Sequence, residues 1–459
     1  MHFESISGLS ALLKARTVSP VEVVDHMLAR IATVDAELKS YVTVTADRAR
    51  EKAKAAEAEI AKGLWRGALH GVPIALKDII YTDFAKTTGG TSIHKDFRPE
   101  FSATVATRLE AAGAIVLGKL KTTEQAFADH HPSVEAPLNP WDASRWSGAS
   151  SSGSGVSTAA GLAFGTLGSD TGGSIRLPSA ANGITGLKPT WGRVSRHGVF
   201  PLGDTFDHIG PMARTALDAA IMLGAIAGRD AADVTALRAP VSDYAGACGK
   251  GARDLRIGMP TAFATDGIDP DVVAVWEATG NTFAALGAIA APITFPAWKQ
   301  AVENWQLLCA GETAWAHRDT HPSRKEEYGT VLSNFIALGQ TASAMDYAGA
   351  NISRAEFSAR VGALFESCDL FLVPAIPTKV PTREHWRGMA AEDFSPYLRF
   401  TIPADLTGGP TITFPAGFDR DGLPIAMQLY GPHLSEATLC NAAAAFQSVT
   451  DWHLRHPVF

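Results

Sequence analysis

The chain has 459 residues, of which 46% are hydrophobic, and its 42 glycines and 26 prolines imply many tight turns. Such a composition can bury a large core and excludes a coiled coil. The 40 basic and 47 acidic residues leave a net charge of −7, which provides no positive field to attract nucleic acid or an anionic membrane. Length alone is compatible with two or three domains or with one large α/β domain.

No targeting or membrane segment is evident in the sequence. Residues 1–8 carry Glu4 and lack both a basic start and a long apolar stretch, so they do not resemble a secretory signal. The longest apolar region, residues 219–227, is much shorter than the roughly 20 residues that span a bilayer. We therefore expect a cytoplasmic protein.

Metal binding is not expected either. The four cysteines are far apart and none belongs to a Cys-x-x-Cys pair, so we interpret them as core thiols. No His-Glu-x-x-His or similar ligand spacing occurs among the 14 histidines.

Helices are predicted for the N-terminal region. Ser19-Pro20-Val21-Glu22 has the form of a capping box with proline at the first helical position, and apolar residues then follow at helical spacing. A second helix, rich in alanine and charge, is predicted over residues 46–62, before Gly63.

From about residue 71 the pattern indicates strands that alternate with helices. Short apolar runs at residues 72–76 and 114–117 are separated by helical stretches and glycine turns, which is typical of βα units. Residues 147–192 are rich in glycine and serine, but they are interrupted by apolar segments that a flexible linker would lack. We therefore predict compact active-site structure there.

The C-terminal half is predicted to be helical first and to return to the sheet later. Residues 297–365 read as helices, with apolar faces supplied by six large side chains: Trp305, Leu308, Trp315, Phe335, Leu338 and Phe365. Strand-like runs return at residues 370–373, 411–414 and 425–429. This order predicts one domain over residues 1–459, with a mostly helical insertion at about 297–400 and a C-terminal return at about 401–459.

Three segments carry residues suited to catalysis, and the first is Gly71-Val72-Pro73-Ile74-Ala75-Leu76-Lys77-Asp78, a short strand that ends in a lysine. A lysine at a strand end is more often a solvated surface charge. A catalytic role requires burial, because desolvation lowers the pKa of the amine by several units and leaves it able to accept a proton.

The second segment is Trp146-Ser147-Gly148-Ala149-Ser150-Ser151-Ser152-Gly153-Ser154-Gly155, and the third is Gly168-Ser169-Asp170-Thr171-Gly172-Gly173-Ser174-Ile175-Arg176-Leu177-Pro178. Turn chemistry alone could explain both. A phosphate-binding loop is disfavoured, because neither Gly-rich phosphate motif follows a strand here and no basic residue lies between Gly148 and Asp170.

In this order the three segments resemble the amidase signature family, which carries a Gly-Gly-Ser-Ser-Gly-Gly-Ser block and then a Gly-Thr-Asp-x-Gly-Gly-Ser-Ile-Arg-x-Pro block. The similarity reaches from Ser19 to Gly431. It implies an α/β fold: a single large domain whose twisted, mostly parallel (mixed) central sheet is flanked by helices on both faces, with the signature core at about residues 63–235. The mechanism that the resemblance implies requires no metal and no organic cofactor.

Carried over position by position, the resemblance makes Ser174 the nucleophile, Ser150 the bridging serine held by a cis peptide bond, and Lys77 the terminal base. The spacing of the two serines supports this register. Ser151 would support the triad through hydrogen bonds or only satisfy the loop. Because Ser150, Ser151 and Ser152 are consecutive, the bridging role could be misassigned by one residue, although the spacing favours Ser150.

The same resemblance predicts an oxyanion hole formed by the backbone N–H groups of four consecutive residues: Thr171, Gly172, Gly173 and Ser174. Asp170 and Arg176 flank this turn and would pair to brace it, although both could instead be solvated.

Two positions depart from the family pattern. Ala149 replaces the second glycine of the first block and Ser152 replaces the glycine after the paired serines, so the first turn could be reshaped.

The function implied by the resemblance is amide hydrolysis through an acyl-enzyme. We expect a stand-alone enzyme for a neutral amide, anilide or carbamate, with ester hydrolysis as a further activity, because the sequence offers no evident clamp for a charged substrate group. Residues 127–132, Trp305 and Trp315 are candidate pocket walls, although each aromatic could be ordinary core. We expect a monomer or homodimer.

Two other functions compete with this interpretation. The glutamine-hydrolysing subunit of a tRNA amidotransferase shares the signature and works inside a complex. A ligand-binding scaffold with an inactive site is disfavoured, because Lys77, Ser150 and Ser174 are all present.

Overall fold

The computed structural model describes residues 1–459. The eleven strands are β1 (Tyr41–Val44), β2 (Pro73–Lys77), β3 (Ile115–Leu120), β4 (Gly165–Asp170), β5 (Thr185–Lys188), β6 (His208–Ala213), β7 (Arg256–Met259), β8 (Ile289–Pro292), β9 (Leu370–Pro374), β10 (Thr411–Phe418) and β11 (Pro424–Tyr430). The α-helices are α1 (Ile6–Lys14), α2 (Pro20–Arg30), α3 (Ala36–Leu38), α4 (Ala46–Ala61), α5 (Thr104–Ala111), α6 (Ser152–Ala159), α7 (Arg176–Asn182), α8 (Ala216–Ile226), α9 (Tyr244–Ala247), α10 (Thr261–Thr265), α11 (Pro270–Ala285), α12 (Lys299–Ala316), α13 (Thr330–Thr341), α14 (Ala344–Leu364), α15 (Arg383–Ala391), α16 (Ile402–Thr407) and α17 (Glu436–Gln447).

All strands belong to one mixed sheet, in the order β1-β3-β2-β4-β6-β5-β10-β11-β9-β7-β8. Every residue of β2, β4, β6, β9 and β11 is buried, so both faces of the sheet are covered there. The predicted α/β class and mixed sheet are confirmed. None of the helices combines the length and the apolar character that a membrane crossing requires.

The expectation that the sheet is mostly parallel is wrong. Parallel pairing is confined to β3-β2-β4 and to β8-β7-β9. The strands between these two groups pair antiparallel, and so does the edge strand β1. The hairpin β10–β11 and the return of β6 alongside β4 cause the difference, because apolar runs mark buried strands but do not reveal strand direction.

The N-terminal helices follow their sequence signals closely. Ser19 Oγ accepts the Glu22 N–H at 3.1 Å, and Glu22 Oε2 accepts the Ser19 N–H at 2.8 Å, so the predicted capping box is formed at the start of α2. The second predicted helix is α4, which ends one residue earlier than expected.

The helical part of the C-terminal half is also present, but its predicted apolar faces are only partly correct. Trp305, Leu308 and Phe335 are buried, whereas Trp315 is 68% exposed and Leu338 is 41% exposed. In α12, the ten residues from Trp305 to Trp315 turn the side chain about 80° away from the buried face. Trp315 instead lies under the guanidinium of Arg318, 4.2 Å from its ring centroid.

The cysteines agree with the core interpretation in three of four positions. Cys309, Cys368 and Cys440 are buried, and Cys248 is partly exposed.

Candidate active site

The predicted site residues converge at one edge of the sheet. Strands β2 and β4 are parallel neighbours, with Leu76 opposite Leu167, so their carboxyl ends open at the same place. Lys77 is the last residue of β2, and the turn that carries Ser174 follows β4 directly. Ser150 precedes α6, where its carbonyl accepts hydrogen bonds from the N–H of Thr123 and the Oγ1 of Thr122, both at 3.2 Å.

Lys77 is fully buried and touches two hydroxyl groups. Its Nζ lies 2.6 Å from Ser150 Oγ and 2.8 Å from Ser169 Oγ. Burial lowers the pKa of this amine to about 7, against the opposing influence of the Asp170 and Asp207 charges. A neutral amine is therefore accessible near pH 7. The contact with Ser169 was not predicted from the sequence.

Ser174 is the single residue between Trp146 and Thr190 that is not buried. Its carbonyl accepts a hydrogen bond from the Ser151 N–H at 3.3 Å, which holds the two serine-rich segments together. Its hydroxyl donates to no protein group, and no hydrogen bond joins Ser150 Oγ to Ser174 Oγ. The structure thus brings Lys77 and Ser150 into contact, and it leaves Ser174 partly exposed in a turn that is hydrogen-bonded to the adjacent Ser151.

The amides of the turn are not equivalent. The N–H groups of Thr171, Gly172 and Ser174 donate to no protein acceptor, whereas the Gly173 N–H donates to Asp170 Oδ1 at 2.7 Å. The prediction that four amides face the site is therefore wrong for Gly173. Asp170 caps the turn as an N-cap side chain would, and the Gly173 amide is therefore already occupied and not free to bind an oxyanion.

Asp170 and Arg176 are fully buried and paired, so the alternative of two solvated side chains is wrong. Arg176 donates to both Asp170 oxygens at 2.8 and 3.0 Å, to Asp405 Oδ2 at 2.7 Å and to the Thr401 carbonyl at 2.7 Å. Burial alone would raise the pKa of Asp170, but the charge and hydrogen bonds of Arg176 lower it overall. The pairing with Arg176 therefore favours the ionised form of Asp170.

The consecutive serines occupy three different environments. Ser150 contacts Lys77, whereas Ser151 Oγ donates to the Ser169 carbonyl at 3.2 Å and Ser152 Oγ lies 3.1 Å from His130 Nε2. Burial lowers the pKa of His130 to about 3, so its imidazole is neutral. Of the three hydroxyls, that of Ser150 alone is placed to exchange a proton with the lysine.

Comparison with known proteins identifies the family. The model of the family described as Amidase matches residues 22–440. The chain belongs to the amidase signature family. It is 42% identical over 454 residues to the provisionally named amidase AmiD of Mycobacterium tuberculosis, covering 98% of this chain and 95% of that protein. It is 37% identical over 485 residues to a glutamyl-tRNA(Gln) amidotransferase subunit of Methylococcus capsulatus, covering 100% of this chain and 99% of that protein.

A solved amidase signature structure agrees with this assignment. The peptide amidase from Stenotrophomonas maltophilia superposes with a TM-score of 0.86 at 29% identity, covering 99% of this chain and 98% of that chain. A bacterial aryl acylamidase of the same family has the same fold, with a TM-score of 0.89 at 24% identity. The chain is therefore a hydrolase of the amidase signature family with the fold of its relatives.

One further residue next to the candidate site, Asp207, gave no signal in the sequence. Asp207 accepts a 2.5 Å hydrogen bond from Thr171 Oγ1 and another from the Leu202 N–H at 2.9 Å. Burial raises its pKa to about 6. It is a lone aspartate outside the serine-rich blocks, so no spacing rule could have found it.

The residues expected to form pocket walls lie in different environments. Phe127 is buried and stacks on Phe335 at 4.0 Å between ring centroids. Trp305 is buried and donates to the Thr171 carbonyl. Trp315 lines an open cavity of about 640 Å³ that none of the predicted triad residues reaches. No group of three or more His, Cys, Asp or Glu side chains is arranged to hold a metal ion.

We expect Arg176→Met to lower the free energy of unfolding by about 3–5 kcal/mol, because it leaves two buried carboxyl groups without their cation. Urea denaturation followed by tryptophan fluorescence measures the change. The control is Arg324→Met, which removes an ion pair with Glu327 whose side chains are 42% and 41% exposed and should cost below about 1 kcal/mol. Equal denaturation midpoints for the two variants would contradict the bracing role of Arg176.

Proposed function

We propose that the protein is a stand-alone serine amidohydrolase that cleaves the C–N bond of a neutral amide, anilide or carbamate. The observation that supports this function most directly is the fully buried Lys77 amine, whose Nζ lies 2.6 Å from Ser150 Oγ. A serine hydroxyl is a weak nucleophile until a neighbour removes its proton. A neutral lysine that acts through a second hydroxyl supplies that base without histidine.

The reaction proceeds through an acyl-enzyme. Ser174 Oγ attacks the carbonyl carbon, its proton passes to Ser150 Oγ, and the Ser150 proton passes to Lys77 Nζ. The tetrahedral intermediate then collapses, the C–N bond breaks, and the amine leaves with the proton that Lys77 returns through Ser150. Water attacks the acyl-Ser174 ester by the same relay and releases the carboxylic acid.

The relay needs a hydrogen bond between Ser150 and Ser174 that is absent in the free protein. Catalytic hydrogen bonds are often long or unaligned without substrate and tighten in the complex. Ser174 is partly exposed and its hydroxyl has no competing partner, so we propose that its side chain turns to Ser150 Oγ when substrate binds.

The oxyanion of the intermediate would be bound by the free amides of Thr171, Gly172 and Ser174. Preorganised donors of this kind stabilise the charge that develops in the transition state, and the loss of one donor typically costs about 10²–10³ in kcat. Because Asp170 occupies the Gly173 amide, we propose that this amide shapes the turn and does not bind substrate.

A neutral substrate is favoured by the charges around the turn. Asp170 and Arg176, the charged side chains next to Ser174, are fully buried and satisfy each other. Neither is free to bind a charged group of a substrate. The similarity to AmiD and to a peptide amidase supports an amide as the substrate.

The glutamine-hydrolysing subunit remains the second candidate, because the similarity to the amidotransferase protein of Methylococcus capsulatus covers nearly the full length of both chains. The isolated protein should be assayed for ammonia release from glutamine and for hydrolysis of amides, anilides, esters and carbamates, with the acyl-enzyme detected by intact mass. Turnover of anilides or carbamates supports the stand-alone enzyme. Hydrolysis of glutamine alone, stimulated by other subunits, would favour the amidotransferase role.

We expect Ser174→Ala to abolish the acyl-enzyme adduct and to lower kcat by about 10⁴-fold or more, since no other residue of the turn can accept the acyl group. Ser154→Ala is the matched control. Its hydroxyl is buried in the same serine-rich block and donates to the Leu167 carbonyl at 3.1 Å, away from Lys77. Substantial activity in purified Ser174→Ala would contradict the proposal that Ser174 is the nucleophile.

The acid limb of kcat/KM should have a pKa near 7, because the Lys77 amine must be neutral to accept a proton and burial lowers its pKa to about 7. Activity should rise about tenfold per pH unit below that value and level off above it. Lys77→Ala should lose most activity. Lys77→Arg should not restore it, because a guanidinium stays protonated. Near-normal rates in Lys77→Arg would show that residue 77 acts through its positive charge and not as a base.

A further inference from the structure

Every carbonyl of the Ser174 turn has a hydrogen-bond donor. The four pairs are Asp170 O with His208 Nδ1 at 3.2 Å, Thr171 O with Trp305 Nε1 at 2.9 Å, Gly172 O with Thr401 Oγ1 at 2.7 Å, and Gly173 O with the Leu177 N–H at 2.7 Å. In a planar trans peptide the C=O points opposite to the N–H of the next residue. The donors that bind these carbonyls therefore determine where the free amides point.

The orientation of the peptide group between Thr171 and Gly172 depends on one side chain. Its carbonyl is bound by the Trp305 indole, and its N–H has no protein acceptor. The next peptide is held at both ends, by Thr401 at its carbonyl and by Asp170 at its N–H. Among the peptides of the turn, the one that carries the free Gly172 amide is thus oriented by the Trp305 hydrogen bond.

The indole itself is fixed by packing. Trp305 lies in α12 and is 3% exposed. A Cβ atom placed on Gly172 would be 2.6 Å from Trp305 Cζ2, so the ring lies directly against the glycine backbone. This packing holds the indole N–H against the Thr171 carbonyl, and a side chain at position 172 would collide with the ring.

We infer that Trp305 is a positioning residue that orients the Gly172 amide toward the oxyanion of the tetrahedral intermediate. This inference rests on the proposed function. The hydrogen bond that the indole donates to the Thr171 carbonyl also polarises the peptide, which makes the Gly172 N–H a stronger donor. Trp305 acts through the turn and contacts no reacting atom.

The test uses a fluorophosphonate, which reports on Ser174 without knowledge of the natural substrate. The Ser174 Oγ–P bond forms as the P–F bond breaks, fluoride leaves, the serine proton enters the relay, and the phosphoryl oxygen takes the place of the oxyanion. Trp305→Phe keeps a ring against Gly172 and removes the indole N–H. We expect its second-order rate of Ser174 labelling to fall about 10- to 100-fold, a part of the loss seen when an oxyanion donor is deleted.

The matched control is Trp276→Phe. The Trp276 indole is also buried and donates to a backbone carbonyl, that of Leu372, at 2.9 Å, but it joins α11 to β9. This variant should lose comparable stability and keep the wild-type labelling rate. Equal labelling rates for the two variants overturn the inference. Absence of any labelling at Ser174 in the wild type overturns the proposed function, and the inference with it.

Two further measurements separate positioning from general structural damage. With an anilide or ester that the enzyme turns over, Trp305→Phe should lower kcat about as much as the labelling rate, with KM and the acid-limb pKa near their wild-type values. A loss confined to KM, or a displaced acid limb, contradicts the inference. If Trp305→Phe does not fold, 3-benzothienylalanine at position 305 provides the same ring shape without the N–H and should show the same loss.

Thr401→Val provides an internal comparison. It removes the donor to the Gly172 carbonyl, but Asp170 still holds the other end of that peptide. Its effect on the labelling rate should therefore be smaller than that of Trp305→Phe. A larger effect in Thr401→Val would contradict the assignment of the orienting role to Trp305.

Discussion

The candidate mechanism depends on one physical constraint, the burial of the Lys77 amine without a counter-ion. Its two hydrogen-bond partners are the neutral hydroxyls of Ser150 and Ser169, and no carboxylate lies within ion-pair distance of it. Desolvation therefore lowers its pKa to about 7. Lys119 on the neighbouring strand is equally buried, but its ammonium is paired with Asp78 at 3.2 Å. The two lysines differ in the presence of a partner charge: burial lowers the pKa of both amines, but Asp78 favours the charged form of Lys119, whereas no carboxylate contacts Lys77.

The Asp170 charge close to this amine would oppose its neutral state if it were not compensated. Arg176 pairs with Asp170 through two hydrogen bonds, and burial raises the pKa of Asp405 well above its usual value. The guanidinium charge of Arg176 therefore offsets much of the Asp170 charge. The same arginine that braces the turn thus limits the field that reaches Lys77. The geometry of the Ser174 turn and the basicity of the lysine are therefore linked through one guanidinium.

Residues that belong to contiguous motifs could be found from the sequence, and residues that reach the site from elsewhere could not. Lys77, Ser150 and Ser174 stand in recognisable blocks, and the contact between Lys77 and Ser150 agrees with the prediction. The engagement of the Gly173 amide by Asp170 depends on how the turn closes in three dimensions, which residue types do not specify. The hydrogen bonds that Trp305 and Thr401 donate to the turn could not be predicted for a different reason. Each joins residues that are far apart in the sequence, by 134 and 229 positions respectively, and no local pattern encodes such contacts. The direction of strand pairing was misjudged because apolar runs are the same in parallel and antiparallel strands.

These long-range contacts bear on how the chain is organised. The predicted signature core at about residues 63–235 contains the three triad candidates. The turn that carries Ser174, however, is held by three residues outside this core: Trp305, Thr401 and Asp405. Without them, two carbonyls of the turn would lose their donors and Arg176 would lose one of its two carboxyl partners. A buried guanidinium and unsatisfied peptide groups are costly, so the core alone would not retain the geometry of the turn. The helical segment and the C-terminal return are therefore structural parts of the candidate site as well as candidate pocket walls. This dependence favours one cooperative domain over a separable core.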